Sequence, residues 1–159
     1  MPSVIVLGAG PGGYAAAFYA ADLGMQVTLV DEEKNPGGVC LYRGCIPSKA
    51  LLHVAKFGPG GVYLDKLRAY KNSVVEKLTG GTGQIAKLRK VNYIQGRATL
   101  TGPTSMSVKT ATGVQDVTAD YVVLATGSHP TRIPGLNVDS PRLLDSTGAL
   151  DLPAIPKTL

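Results

Sequence analysis

The chain is poor in the residues that build covalent or metal scaffolds, and it lacks a long apolar stretch. It contains two cysteines and two histidines, His53 and His129, in 159 residues. Two cysteines are too few for the disulfide framework of a small secreted domain, and neither histidine has a second ligand at the spacing of a zinc site. No apolar run approaches the ~18 to 20 residues of a membrane span. We therefore expect no disulfide scaffold, no metal site and no membrane partner.

Charge and targeting signals are also weak. No charged segment followed by an apolar run opens the chain, so we expect a cytoplasmic protein without a signal peptide. The formal net charge is +5, but the basic residues are spread along the chain and their densest group is Lys87, Arg89 and Lys90. Such a short group is typical of a solvated helix end, so no nucleic acid partner is expected. The length and an apolar content of 44% predict one domain with a packed core.

Both cysteines lie within residues 37–49, and four residues separate Cys40 from Cys45. Pro47 fits the first turn of a helix, which places Cys45 at or just before a helix N-terminus, where thiolate is favoured over thiol. Cys40 is reached through a glycine-rich loop. This junction predicts a dithiol that forms a strained, reducible disulfide. Two buried free cysteines, or one structural disulfide, would also account for the spacing.

The N-terminal segment predicts a nucleotide-binding βαβ unit. The apolar run 3–7 reads as a strand, an alanine-rich helix follows at 14–23, and 25–30 reads as the next strand. Between strand and helix, Gly8, Gly10 and Gly13 match G-x-G-x-x-G, which allows a tight turn, close approach of a pyrophosphate and close helix packing. Asp31 ends the second strand, where a carboxylate can bind a ribose diol. A purely structural turn is the alternative interpretation of the glycines.

The rest of the chain predicts further helices and strands. Residues 57–63 read as a mobile, breaker-rich link, 64–78 as a helix ended by Gly80 and Gly81, and 83–90 as a third helical piece. Runs at 91–96, 98–100, 106–109 and 114–117 predict strands, of which the last three form an antiparallel meander. Residues 121–124 read as a buried strand. The predicted fold is α/β: a parallel sheet of Rossmann type with an antiparallel meander inserted before its fourth strand.

The glycine loop, Asp31, and the runs Gly-Gly-Val-Cys and Gly-Cys-Ile-Pro-Ser-Lys together resemble the pyridine nucleotide-disulfide oxidoreductases. Within that family, residues 45–53 look most like the dihydrolipoyl dehydrogenase subgroup. The resemblance implies that residues 1–159 are the N-terminal part of an FAD-binding domain, with a helical redox insert at about 40–90 and the meander at about 98–117. Family members continue with an NAD-binding fold, a Gly-Asp turn and a dimerisation domain. Residues 57–63 replace a longer helix and loop, as a natural variant or an engineered splice would.

The resemblance also implies roles for single residues. Cys40 would be the thiol that exchanges with the substrate, Cys45 the charge-transfer thiol beside the flavin, and Lys49 the lysine on the flavin side. An ordinary exposed helix lysine is the alternative for Lys49. The cofactor would be FAD, held by these thiols and this lysine together with a set from five segments: Gly8, Gly10, Pro11, Gly12, Gly13, Asp31, Glu32, Lys34, Gly38, Val39, Gly96, Arg97, Ala98, Ala125, Thr126, Gly127 and Ser128.

The function implied is that of an FAD-dependent disulfide oxidoreductase of the dihydrolipoyl dehydrogenase type. Electrons would pass between a dithiol or disulfide substrate such as a dihydrolipoyl group, the cysteine pair and FAD, with NAD as final acceptor in the complete enzyme. By analogy with the family, the partner would be a 2-oxo acid dehydrogenase complex, and the full-length enzyme would be a homodimer. The alternative is a minimal FAD-binding module without turnover. The sequence that follows Leu159 in the parent gene would discriminate these two classes, and the colour of the purified protein is a simple first observation.

Overall fold

A computed structural model describes residues 1–58, 63–136, 138, 140–151 and 153–158. The chain divides into two compact units: the first unit is Met1–Gly38 with Leu78–Gly127, and the second unit is Val39–Lys77 with Ser128–Leu159. The elements, in chain order, are β1 (Ser3–Leu7), α1 (Pro11–Asp22), β2 (Gln26–Asp31), α2 (Gly38–Arg43), α3 (Cys45–Phe57), α4 (Leu64–Leu88), β3 (Asn92–Gln95), β4 (Arg97–Gly102), β5 (Ser105–Thr110), β6 (Gly113–Thr118), β7 (Tyr121–Leu124) and α5 (Ser146–Asp151).

The first unit contains two sheets. A parallel sheet has the strand order β3-β2-β1-β7, and a separate antiparallel sheet has the order β4-β5-β6. The antiparallel strands lie in the chain between the third and fourth strands of the parallel sheet, which confirms the predicted α/β class and the inserted meander. Strands β1 and β7 have the bounds that the sequence predicted. The carboxyl ends of all four parallel strands therefore meet at one edge, where ligands bind in open α/β sheets.

Both faces of the parallel sheet are covered, because alternate residues of β1 point to opposite sides. Val4 and Val6 belong to a core cluster that includes Ala17 of α1. Ile5 belongs to a second cluster with Met106 of the meander. Parallel sheets are normally buried on both faces, and here α1 and the inserted strands supply the two covers. The meander thus has a packing role that fixes the sheet beneath it.

The expectation that residues 121–124 form a buried strand is wrong. Tyr121 and Leu124 are each 60% exposed, whereas Val122 packs against the second core cluster. Within the described residues β7 pairs with β1 alone, so it is an edge strand of the parallel sheet. The apolar run resembles that of a central strand, because local sequence does not record how many neighbours a strand has.

The second unit contains α2, α3, α5 and the first half of α4. Cys45 is the first residue of α3 and Gly44 is its N-cap, with Pro47 buried in the first turn, as the sequence predicted. Cys40 lies in helix α2, where a glycine-rich loop was expected. Helix α4 is tied to α5 by the nearly buried Lys71, whose ammonium donates to the carbonyl of Leu150 at 2.9 Å. The predicted mobile link falls mainly on residues 59–62, which lie outside the described residues.

The two helices predicted at 64–78 and 83–90 are one helix, α4. Gly80 and Gly81 do not end it, although glycine inside a helix costs about 0.5 to 1 kcal/mol relative to alanine. Tertiary packing offsets that cost, because Thr79 and Ala86 are buried and the Thr82 hydroxyl donates to the carbonyl of Pro36. The helix continues because one of its faces is held by the rest of the fold.

Ser3, the first residue of β1, and Asp120, the residue before β7, form a reciprocal polar contact. The carboxylate of Asp120 accepts hydrogen bonds from the backbone N–H of Ser3 at 2.7 Å and from its hydroxyl at 2.8 Å. The backbone N–H of Asp120 donates in return to the Ser3 hydroxyl at 3.0 Å. The Ser3 N–H, with a smaller contribution from the hydroxyl, lowers the pKa of Asp120 below its ordinary value. Ionised Asp120 is therefore the form that this contact favours, in addition to the backbone pairing of the two strands.

We expect Asp120→Asn to lower the thermal stability slightly at pH 7 and to have no effect at pH 2. A lowered folded-state pKa contributes stability above the unfolded pKa, and this contribution is lost as the pH falls through the folded value, below about pH 4. Thermal unfolding of both proteins between pH 2 and pH 7 measures the difference. Asp116→Asn on the exposed strand β6 is the matched control, since that side chain is outside the contact. A difference between Asp120→Asn and wild type that stays constant with pH would contradict the assignment.

Candidate functional site

A cavity of about 260 Å³ lies at the carboxyl ends of the parallel strands in the first unit. Its walls come from four segments that are distant in sequence: the end of β1, the end of β2, the junction between β3 and β4, and the turn after β7. Seven of the predicted cofactor residues line it, together with two that the sequence analysis did not name: Gly8, Asp31, Glu32, Gly96, Arg97, Ala98 and Thr126, with Leu7 and Val30. Leu7 is the last residue of β1 and Val30 is the penultimate residue of β2. Their positions next to Gly8 and Asp31 in the sequence could have indicated that they line the cavity.

Close backbone contacts within the protein require a glycine at two of the three motif positions but not at the third. A Cβ atom on Gly8, which has a φ of +96°, would collide with the carbonyl of Ala125, and a Cβ on Gly13 would collide with the carbonyl of Gly8. These two glycines are needed by the packing of the turn itself. Gly10 is different, because the nearest protein atom to its Cβ position is the Cα of Gly38 at 3.9 Å. Packing within the protein thus leaves the Gly10 position open.

Gly10 also caps helix α1, with Pro11 in the first turn. The amide of Tyr14 donates to the carbonyl of Gly10 at 2.9 Å, which is the first bond of the helix. The amides of Gly12 and Gly13 precede that bond and have no partner within α1. A helix N-terminus with free amides and an approachable glycine is suited to a phosphate or pyrophosphate group.

Asp31 is fixed by the backbone around it. Its carboxylate accepts a hydrogen bond from the amide of Ala9, in the glycine loop, at 2.6 Å and another from the amide of Glu33 at 2.9 Å. Its carbonyl accepts from the amide of Gly96 at 2.8 Å. Asp31 therefore connects the glycine loop, the loop after β2 and the β3–β4 junction, and it lines the cavity.

The cysteines form a second site, in the second unit. Both are free thiols, with Cys40 half-buried on α2 and Cys45 exposed at the start of α3. They are brought together by a tight turn at Gly44, where an added Cβ would lie 3.1 Å from the carbonyl oxygen of Val39. The Ser48 hydroxyl, one turn into α3, donates to the carbonyl of Cys45 at 3.0 Å and fixes the first turn.

The two thiols differ electrostatically. A hydrogen bond with the Cys45 side chain raises the pKa of Cys40, and burial raises it further, while the positive charge of Lys49 acts in the opposite direction. Cys40 is therefore harder to deprotonate than an ordinary cysteine. Lys49 follows Cys45 by one turn of α3 and is exposed. A charge close to a thiol pair of this kind is suited to thiol–disulfide exchange.

The other predicted residues are distributed between the units. Gly10, Pro11, Gly12, Gly13, Lys34, Gly38, Ala125 and Gly127 lie in the first unit and do not line the cavity, although Gly38 packs directly on Gly10. Val39, Cys40, Cys45, Lys49 and Ser128 lie in the second unit. The described residues contain no cluster of three or more potential metal ligands. In the same part of the chain, no helix is long and apolar enough to cross a bilayer.

A parallel α/β sheet with a glycine loop and acidic strand end, joined in one chain to a Cys-x₄-Cys pair at a helix N-terminus, defines the class of nucleotide-binding disulfide oxidoreductases. The family model for pyridine nucleotide-disulphide oxidoreductases matches residues 2–159. The chain belongs to this family.

Curated relatives and solved structures agree with the assignment. The chain is 44% identical to the dihydrolipoyl dehydrogenase of Vibrio cholerae and 45% identical to that of Haemophilus influenzae, covering 98% of this chain and 36% of each relative. It is also similar in structure to the HOCl-induced flavoprotein disulfide reductase RclA from Escherichia coli, with a TM-score of 0.81 and 27% identity over 94% of this chain and 34% of that one. The chain thus spans about a third of the length of these relatives.

Proposed function

We propose that this chain is the FAD-binding and disulfide-bearing part of a flavoprotein disulfide reductase of the dihydrolipoyl dehydrogenase type. The observation that carries the proposal is the open position at Gly10, at the N-terminal amides of α1 and two residues after Gly8, which lines the cavity at the strand ends. A ligand with a pyrophosphate and an adjoining nucleoside accounts for that arrangement. The curated relatives make FAD the cofactor to test first.

The residues present fit FAD. The amides of Gly12 and Gly13 would meet the pyrophosphate, and the open face of Gly10 would let it approach the backbone. Asp31 and Glu32 would accept hydrogen bonds from the ribose, and the backbone from Gly96 to Ala98 would border the adenine. Bound FAD would supply the two-electron chemistry that links a dithiol to NAD in the complete enzyme.

The cysteine pair would carry out the exchange with a dithiol substrate such as a dihydrolipoyl group. Starting from the Cys40–Cys45 disulfide, a substrate thiolate attacks the sulfur of Cys40 and releases Cys45 as thiolate. The second substrate thiol, on losing its proton, then displaces Cys40, so that the substrate disulfide closes and both protein cysteines are reduced. Lys49 adds positive charge near the sulfurs and so favours the thiolate that each step releases. A 2-oxo acid dehydrogenase complex and a second subunit would be partners of the complete enzyme.

Titration with FAD and with FMN, followed by flavin fluorescence, tests the cofactor. We expect FAD to bind at least about tenfold more tightly than FMN, because only FAD carries the adenosine diphosphate that the cavity and the α1 amides would contact. Equal affinities would overturn the assignment of the cavity. Binding of FAD without its reduction by dihydrolipoamide would favour the alternative, a binding module without turnover.

A further inference from the structure

Strand β7 has an open edge, on the side away from β1. The amide of Ala125, the residue after β7, donates to the carbonyl of Leu7 at 2.8 Å, so Ala125 and every second residue before it bond toward β1. The backbone groups of the residues between them point the opposite way. Val122 and Leu124 therefore present their N–H and C=O groups at the open edge, which no other strand of the described residues pairs with.

This edge differs in sequence from the other sheet edges of the described residues. Strand β3 contains Gln95, β4 begins with Arg97, and β6 contains Asp116. Charged side chains on an edge strand oppose its pairing with another chain. Strand β7 is Tyr-Val-Val-Leu, without a polar amide, a charge or a proline, and its Tyr121 and Leu124 side chains are exposed. Nothing in its own sequence protects this edge from pairing.

We propose that two copies of this chain associate through the open edges of their β7 strands, as an antiparallel pair with a two-fold axis at Val123. The free backbone groups fix this register, because outward-pointing residues of antiparallel strands bond to each other. Val122 of each copy exchanges two hydrogen bonds with Leu124 of the other, which gives about four bonds in all. The two parallel sheets then form one continuous sheet. This inference is independent of the proposed function.

The occupant is a second copy because the edge is complementary to itself. The register sets Tyr121 opposite Ala125 of the second copy, a large side chain against a small one, and Val123 opposite its own counterpart. Apolar cross-strand pairs of this kind stabilise a sheet, and a two-fold interface uses the same patch on both copies. Each copy has a net charge of +5, but β7 itself has no charge, so no like charges meet within the paired strands.

Sedimentation equilibrium over a range of protein concentrations tests the association. Two short edges bury less than the roughly 1,200 to 2,000 Å² of a stable interface, so we expect a dimer with a dissociation constant of roughly 100 µM. Val123→Lys should weaken the association at least about tenfold, because it sets two ammonium groups against each other at the axis. Val114→Lys, at a valine that is 70% exposed on the edge strand β6, is the matched control and should associate as wild type does.

A cross-linking experiment tests the register without an added charge. Val123 and its counterpart would be a non-hydrogen-bonded pair, with Cα atoms about 4.5 Å apart, which a disulfide can span. In a protein that carries Cys40→Ser and Cys45→Ser, Val123→Cys should therefore give a covalent dimer under mild oxidation. Val114→Cys in the same background is the control and should give little covalent dimer.

Three results would overturn the pairing. The first is a wild-type chain that stays monomeric at about 1 mM, ten times the expected dissociation constant. If the amides of Val122 and Leu124 exchange slowly in such a monomer, another segment of the same chain covers the edge. The second is equal cross-linking of the two cysteine variants, and the third is association beyond a dimer that persists in Val123→Lys. FAD binding is unaffected by these outcomes, since Val123 does not line the cavity.

Discussion

Replacing Gly10 with valine is expected to reduce FAD affinity by at least about 100-fold, which corresponds to about 2.7 kcal/mol of binding free energy, while the protein stays folded. The backbone of Gly10 has a φ of −69° and a ψ of −177°, which valine adopts without strain. Its Cβ would have the Cα of Gly38 at 3.9 Å as nearest neighbour, an ordinary contact. The valine methyl groups would instead occupy the space that a pyrophosphate needs near the α1 amides.

Flavin fluorescence titration measures the affinity, and circular dichroism melting measures the fold. Gly81→Ala is a suitable control, because Gly81 is exposed in α4 and its Cβ position is also open. That variant should bind FAD as wild type does. Retention of full FAD affinity by a folded Gly10→Val protein would show that the glycine loop does not hold the pyrophosphate.

The second large effect is expected from the cysteines. With FAD bound and the protein reduced, Cys45→Ser should abolish a long-wavelength charge-transfer absorption that Cys40→Ser retains. The hydrogen bond with Cys45 and burial raise the pKa of Cys40, whereas Cys45 is exposed as the first residue of α3. Cys45 is therefore the thiol that we propose donates charge to the flavin. Absorption spectra of the two variants, recorded at equal flavin occupancy, make the comparison.

A measurement without flavin checks the same asymmetry. Cys45 is exposed and Cys40 is half-buried, so iodoacetamide at neutral pH should modify Cys45 first, as read by mass spectrometry of the two peptides. Mild oxidation should then give the Cys40–Cys45 disulfide. Two thiols that remain free under oxidation, or two variants that lose the absorption equally, would contradict the roles assigned to the pair.

Several features were predictable because they depend on local sequence. The apolar run and glycine loop predicted β1, α1 and β2, and Asp31 does end β2. Pro47 predicted the start of α3, where Cys45 lies. In each case a residue affects its own backbone or that of its near neighbours. Proline fixes φ and lacks an N–H, and the alternation of apolar and polar side chains favours a strand or a helix. The three short meander strands followed from alternation in the same way.

Other features depended on contacts between residues distant in sequence. Gly80 and Gly81 indicated a helix end, but packing of Thr79 and Ala86 carries α4 through them. The apolar run at β7 indicated a buried strand, but the sheet order places it at an edge.

What the sequence by itself determined was the chemistry available to this protein: a glycine loop with a carboxylate about 20 residues further on, and two thiols across a helix start. Tertiary structure alone decided how those groups are used. It separated the glycines that the turn requires, Gly8 and Gly13, from Gly10, whose open side is free for a ligand. It also placed Arg97 against Glu32 and brought the Cys40 thiol within hydrogen-bonding reach of Cys45. The physical reason is that backbone propensities act over a few residues, whereas clashes, ion pairs and pKa shifts arise from atoms that meet only when the chain has folded.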